Sequence, residues 1–220
     1  MSVLAFDGHI AALGAVSGVR LVVGRWLRSP FGRFADVMVS LADGRRLLLA
    51  PTDAVADLVA TTYSFDEVHL APVVVGADPR LRTWRVTAGP LEARFRIGGR
   101  TALGRVLHAV PGQVSGSRLF AGAVDPIARA VLPGVRTSGS AGHGRHEWYA
   151  ASDQHAITDA QCSWGGRDLG GLADVHPPVA FGFGSAPRQP SVTRLTTYVR
   201  APDATSAVRP RDAGQRRPGP

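Results

Sequence analysis

The sequence predicts an α+β fold, a mainly antiparallel β-barrel or cone-like sheet with two or three short helices. Three observations lead there. Most apolar segments alternate with period 2, one strand presents a wholly charged face, and glycine is abundant. Of 220 residues, 26 are Gly and 45% fall in the hydrophobic classes. The glycines call for tight turns and few long helices, and the apolar share supplies one sizeable core. A single globular domain over residues 1–200 is expected, with no need of a disulfide or metal staple.

Each element has its own signal. Gly18–Leu27 and Phe34–Leu41 read as strands, and Ala42-Asp43-Gly44 supplies a hairpin turn into the strand Arg45–Ala50. A helix follows over Asp53–Ala60, with Thr52 as N-cap, two acids in its first turns, and Val55, Leu58 and Val59 on one face. Phe65–Val75 returns to strand character, and Pro72 marks an edge, a bulge or a break. The clearest alternation spans Leu91–Ile97. Leu91, Ala93, Phe95 and Ile97 point one way while Glu92, Arg94 and Arg96 point the other, and Trp84–Thr87 is the hairpin partner through Gly89-Pro90. One wet face belongs to an antiparallel sheet, not to a doubly buried parallel one.

Two shorter helices are expected at Thr101–Ala109 and Ile127–Leu132, the second opened by Asp125-Pro126 and closed by Pro133-Gly134. His146–Ala151, His155–Trp164 and Val192–Val199 read as further strands. Residues 201–220 hold four prolines and no aromatic, so they cannot bury enough surface to offset their ordering entropy. They are expected to form a disordered Arg/Pro-rich tail.

Charge and cysteine content exclude several functions. All 25 basic residues are Arg, and the chain has no Lys. Schiff-base chemistry and a Walker-type phosphate lysine are therefore ruled out. The arginines are scattered beside Asp and Glu rather than clustered among stacking aromatics, which argues against nucleic acid as a partner. One cysteine, Cys162, allows no internal disulfide and fits a reducing, cytoplasmic setting. The apolar run Ile10–Val19 is interrupted by small residues and stops at Arg20, well short of the ~20 residues a span needs, so no membrane or targeting segment is expected.

The densest polar stretch is Ser138–Tyr149, where glycines, Arg145, His143 and His146 could hold an anion or a metal. A long hairpin loop is the plainer reading. On a strand His146 and Glu147 face opposite sides, and the order of residues is not that of a zincin. Cys162 is a small buried hydrophobe by default, because no helix start or basic cluster adjoins it to stabilise a thiolate. Tyr63, Asp66 and Glu67 sit at a helix-to-strand transition whose two acids diverge, as a solvated turn would have them. Trp164–Gly171 and Phe181–Ser185 lack the spacing of a nucleotide loop.

Ser29-Pro30-Phe31-Gly32-Arg33-Phe34-Ala35-Asp36-Val37 resembles the S-P-[FY]-G-x-[FY] stretch of the acetoacetate decarboxylase-like superfamily. The following order of hairpin strand, short helix and strand is similar too, over about a third of the chain. The resemblance implies a twisted antiparallel barrel or cone enclosing a small-molecule pocket. It does not imply that family's reaction, since its lysine is missing and the corresponding region reads Tyr63-Ser-Phe-Asp-Glu67.

A small-molecule-binding β-barrel is thus the leading expectation, with Arg33, Asp36, Tyr63, Asp66, His143 and His146 as its polar contributors. No catalytic residue, cofactor or metal is assigned. The alternative is an interaction protein that turns its arginine-rich surface and tail toward an acidic partner. A third expectation is a silent barrel that serves in self-association, as a homo-oligomer.

Overall fold

The computed structural model of the chain describes residues 3–109, 138–141, 145–182 and 186–200. Its first four strands form a meander: β1 (Val3–Ala15), β2 (Arg20–Arg28), β3 (Phe34–Ser40) and β4 (Arg46–Ala50). The β3–β4 turn closes where Asp43-Gly44 predicts it. The Leu41 N–H donates to the Arg45 carbonyl at 2.8 Å, and Gly44 takes the positive φ of 92° that the turn demands. Helix α1 (Asp53–Thr62) follows, capped by the Thr52 hydroxyl, which accepts from the Val55 N–H. It carries the chain to β5 (Glu67–Leu70), which pairs parallel with β4.

Only Ala71-Pro72 separates β5 from β6 (Val73–Asp78). Those two strands nevertheless lie at opposite ends of the sheet, whose order is β5-β4-β3-β2-β1, then β13 (Ser191–Arg200), β10 (Arg145–Trp164), β8 (Leu91–Arg100), β7 (Thr83–Ala88) and β6. Two connecting residues reach about 11 Å at most, so the sheet must curl until its two edges approach each other. It does curl, into an open half-barrel, and β6 comes back against β3. The β-rich α+β class is as expected, but of the expected barrel or cone-like sheet the structure does not form a closed barrel. Among the described residues no ladder joins β5 to β6, and Pro72 has no N–H to offer one.

Two other expectations change. The run Ile10–Val19, noted in the sequence only for being too short to span a membrane, mostly belongs to β1, which sits near the centre of the sheet between β2 and β13. The predicted strands His146–Ala151 and His155–Trp164 are parts of one strand, β10, whose register shifts between Ala151 and Asp153 and again on either side of Ile157. Extra residues at such bulges turn the strand without ending it. Gly165-Gly166 then makes the turn into β11 (Arg167–Asp168), so Trp164–Gly171 begins with a hairpin. Helix α2 (Ala102–Ala109) matches its predicted span, with the Thr101 hydroxyl accepting from the Gly104 N–H. The predicted helix Ile127–Leu132 and the tail 201–220 lie outside the described residues.

The sheet has two apolar faces. Its concave face holds the main core, where Leu13, Leu21, Val37 and Leu49 meet Leu91 and Phe95 from the other half of the sheet. Its outer face is wet on β7 and β8, where Arg85, Glu92, Arg94 and Arg96 are exposed. On β3 and β4 that face is covered by α1, whose Val55, Ala56 and Val59 pack on Leu48 and Ala50. Among the described residues no helix is long and apolar enough to cross a membrane.

Candidate functional site

Under α1 the cover does not fit tightly. A cavity of about 60 Å³, open to solvent at its mouth, lies between the helix and the outer face of β1, β2, β3 and β13. Strand periodicity places its floor. Phe6 and Ile10 on β1, Gly24 and Trp26 on β2, and Phe34, Asp36 and Met38 on β3 each follow one another at spacings of two or four, so all point to the same side of the sheet. Leu58, Val59 and Thr62 of α1 and Tyr63 at its C-cap form the roof.

The floor is aromatic. Phe6 meets Trp26 edge-on at 5.9 Å between centroids and Phe34 edge-on at 6.4 Å, while Trp26 and Phe34 lie 6.3 Å apart. Such offsets suit the ring quadrupoles and hold the rings in fixed orientations.

Asp36 stands among these rings and is only 2% exposed. The Trp26 indole N–H donates to its Oδ1 at 2.9 Å. That is the one hydrogen bond to its carboxyl among the described residues. Burial pushes the carboxyl up to about 6, and the indole hydrogen bond opposes the rise only in part. Gly24 makes the arrangement possible, since a Cβ there would stand 2.4 Å from Asp36 Oδ1 and 2.7 Å from Trp26 Nε1. A second polar group faces the same space. Thr197 lines the cavity at 4% exposure, and its hydroxyl has no hydrogen-bond partner among the described residues. The Tyr63 and Tyr149 hydroxyls meet at 2.7 Å and fix the Tyr63 ring at the cavity edge.

Two of the six residues expected from the sequence therefore line the cavity, Asp36 and Tyr63. Arg33 is exposed and does not line it. Asp66 lies on the surface, where Arg46 donates to both of its oxygens and holds the carboxyl down at about 2. Glu67 beside it, the first residue of β5, takes Arg45 and His69 instead, so the two acids diverge on the surface and form no paired site. His143 lies outside the described residues. His146 stands on β10 in register with Arg200 of β13, toward the end of the strand where β13 pairs with Val3 of β1. Cys162 is buried and its thiol is pushed up to about 11, chiefly by burial, which suits a core side chain and not a nucleophile.

Phe6, Gly24, Trp26, Phe34 and Thr197 were not singled out by the sequence. One signal was available: Val22-x-Gly24-x-Trp26 and Phe34-x-Asp36-x-Met38 are adjacent period-2 runs, and the second carries an acid on an otherwise apolar face. The sequence matches no protein-family model and no curated protein.

Proposed function

We propose that the chain binds a small organic molecule in the cavity between α1 and the outer face of the sheet, with Asp36 as its polar anchor. The observation that carries this reading is the carboxyl itself. It is 2% exposed, it lines a cavity, and a single indole N–H satisfies it among the described residues. A buried carboxyl with spare lone pairs is costly for stability alone and is better explained by a ligand that completes it. Apolar walls with a few convergent polar groups are the usual makeup of a ligand site. The proposal extends to the scaffold, which on the resemblance of Ser29–Val37 is that of the acetoacetate decarboxylase-like superfamily, and this stretch includes Phe34 and Asp36.

The volume sets the size of what enters. At ~15 Å³ per water-sized position, 60 Å³ holds about four non-hydrogen atoms, and a larger ligand leaves its remainder in the mouth. The best small ligands gain about 1.5 kcal/mol per such atom, so four atoms bind no tighter than tens of micromolar. The first test is a titration with 1-propanol, followed by the Trp26 indole N–H signal in a nitrogen–proton correlation spectrum. A saturable shift in the millimolar range, lost when Leu58→Phe fills the roof, is the expected result. An unmoved Trp26 signal, or a shift that survives Leu58→Phe, removes this reading.

The alternative, an arginine-rich surface for an acidic partner, has less support. Arg28, Arg45, Arg46, Arg100, Arg188 and Arg194 each already hold a carboxylate of the chain itself.

A further inference from the structure

The carboxylates of this chain are matched with cations in an uneven way. Asp43, Asp66 and Asp174 lie on the surface, and each holds an arginine. Asp7 takes two, Arg28 and Arg194. Asp36, more buried than any of them, has none among the described residues. In a chain with 25 arginines and a net charge of +8, the acid that most needs a counter-ion is the one for which the described residues supply none. What stands around it instead is the aromatic floor, whose ring faces attract cations.

We infer that the cavity takes a small alkylammonium, or the ammonium end of a longer amine, with Asp36 as counter-ion and Thr197 Oγ1 as a second acceptor. This rests on the reading of the cavity as a ligand site and narrows it to one charge class. An ammonium carries three N–H donors and no acceptor. The cavity offers the free lone pairs of Asp36 and the unpartnered hydroxyl of Thr197. A ligand carboxylate would meet Asp36 with no cation to offset the repulsion. A neutral carbonyl could accept from the Thr197 hydroxyl but would leave the Asp36 carboxylate without a counter-ion. The alkyl part fits the walls given by Phe6, Ile10 and Leu58.

The test compares propylammonium with 1-propanol, two probes of four non-hydrogen atoms that differ in charge, again on the Trp26 signal. At pH 7.5 propylammonium is expected to bind at least tenfold more tightly. Tyr63 is the one other ionisable side chain lining the cavity among the described residues. An alkylamine keeps its proton between pH 5 and 8, so a change in the preference over that range follows the Asp36 carboxyl. The preference for the cation should therefore fall below about threefold at pH 5, where Asp36 is protonated. Asp36→Asn should abolish the preference for the cation at every pH. Equal affinity for the two probes at pH 7.5 overturns the ammonium inference and leaves the cavity reading intact. Failure of both probes to move the signal overturns both. A preference that is independent of pH, or that survives Asp36→Asn, places the cation elsewhere and also overturns the inference. Should Asp36→Asn not fold, the two probes and the pH dependence in the wild-type protein decide the matter.

Discussion

On the concave side of the sheet, Leu13, Leu21, Val37, Leu49 and Phe95 interlock to exposures of 1% or less, whereas the outer side of the same strands leaves a cavity around a buried acid. The two sides draw on neighbouring residues, since Val37 and Asp36 are adjacent on β3. What differs is the cover. The concave face is closed by the sheet's own second half, strand against strand, with apolar side chains from both halves. The outer face is closed piecemeal, by α1 over β3 and β4 and by Val175, Val179 and Phe181 of the segment before β13 over Ala12, Val22 and Met38. Stability resides on the first side and the opportunity for chemistry on the second.

The largest expected effect tests that division directly. Phe95→Ala opens a void in the packed face and should cost about 3–5 kcal/mol in denaturant unfolding. Leu58→Ala enlarges a space that already exists and should cost under about 1.5 kcal/mol. Similar losses for the two variants would show that the outer face is as tightly integrated as the concave one.

Next in size is a pair of opposed pH effects, one from each face. Asp36 holds its proton more tightly folded, at about 6, than unfolded, at 3.8. Its contribution is fully present below about pH 4 and is lost as pH rises through 6, to the extent of about 3 kcal/mol. His9 lies on the concave side, edge-on to Trp84. Burial, with Arg194 and Arg25 beside it, depresses it from 6.5 to about 4. Its contribution is present above pH 6.5 and is lost as pH falls toward 4, on the order of 2 kcal/mol once its partial exposure is discounted. The slopes oppose, so the wild-type protein should be nearly level between pH 4 and 6.5. Asp66 and Asp153, both held near 2 by arginine hydrogen bonds, act below that window. Asp36→Asn should leave a protein that weakens toward pH 4, and His9→Gln one that weakens toward pH 6.5. Urea midpoints at the two pH values check this, and two variants with parallel profiles would contradict it.

Gly24→Ala is smaller in stability and sharper in location. The new Cβ would fall 2.4 Å from Asp36 Oδ1 and 2.7 Å from Trp26 Nε1, so their hydrogen-bonded pair must shift. A cost of about 1–3 kcal/mol is expected, together with loss of probe binding at the Trp26 signal. Normal binding in this variant would mean that the carboxyl is free to move and is not the fixed anchor described above.

What the sequence made legible follows the same contrast. Local chemistry was readable: the Asp43-Gly44 hairpin, the Thr52 cap, the Pro72 break, and the alternation of Leu91–Ile97 all rest on residues within a few positions of one another. Strand β1 was not. Ala11, Ala12, Leu13 and Ala15 are buried on both faces, so the strand shows no alternation and reads as a plain apolar run. The bulges of β10 were also hidden, because a shift of register leaves no residue signature there. The cavity was half visible. Asp36 could be picked out as an acid on an apolar strand, and Tyr63 as an aromatic at a helix end. That they share one space depends on α1 folding back over β3, and Trp26 is drawn into the site by a hydrogen bond across two strands.

The smallest expected effect separates the sequence candidates from one another. Arg33 and Asp66 belong to the same short stretches of chain as Asp36 and Tyr63, yet the first is solvent-exposed and the second is held on the surface by Arg46. Arg33→Ala and Asp66→Asn should therefore leave propylammonium binding within twofold of wild type. Surface substitutions away from a packed or buried feature seldom do more. Arg33 carries the sharper risk, because its charge bears on Arg25 one residue from Gly24. If removing that charge tightens the cation by more than about threefold, the field of the Arg25–Arg33 pair reaches the cavity and opposes the cation there.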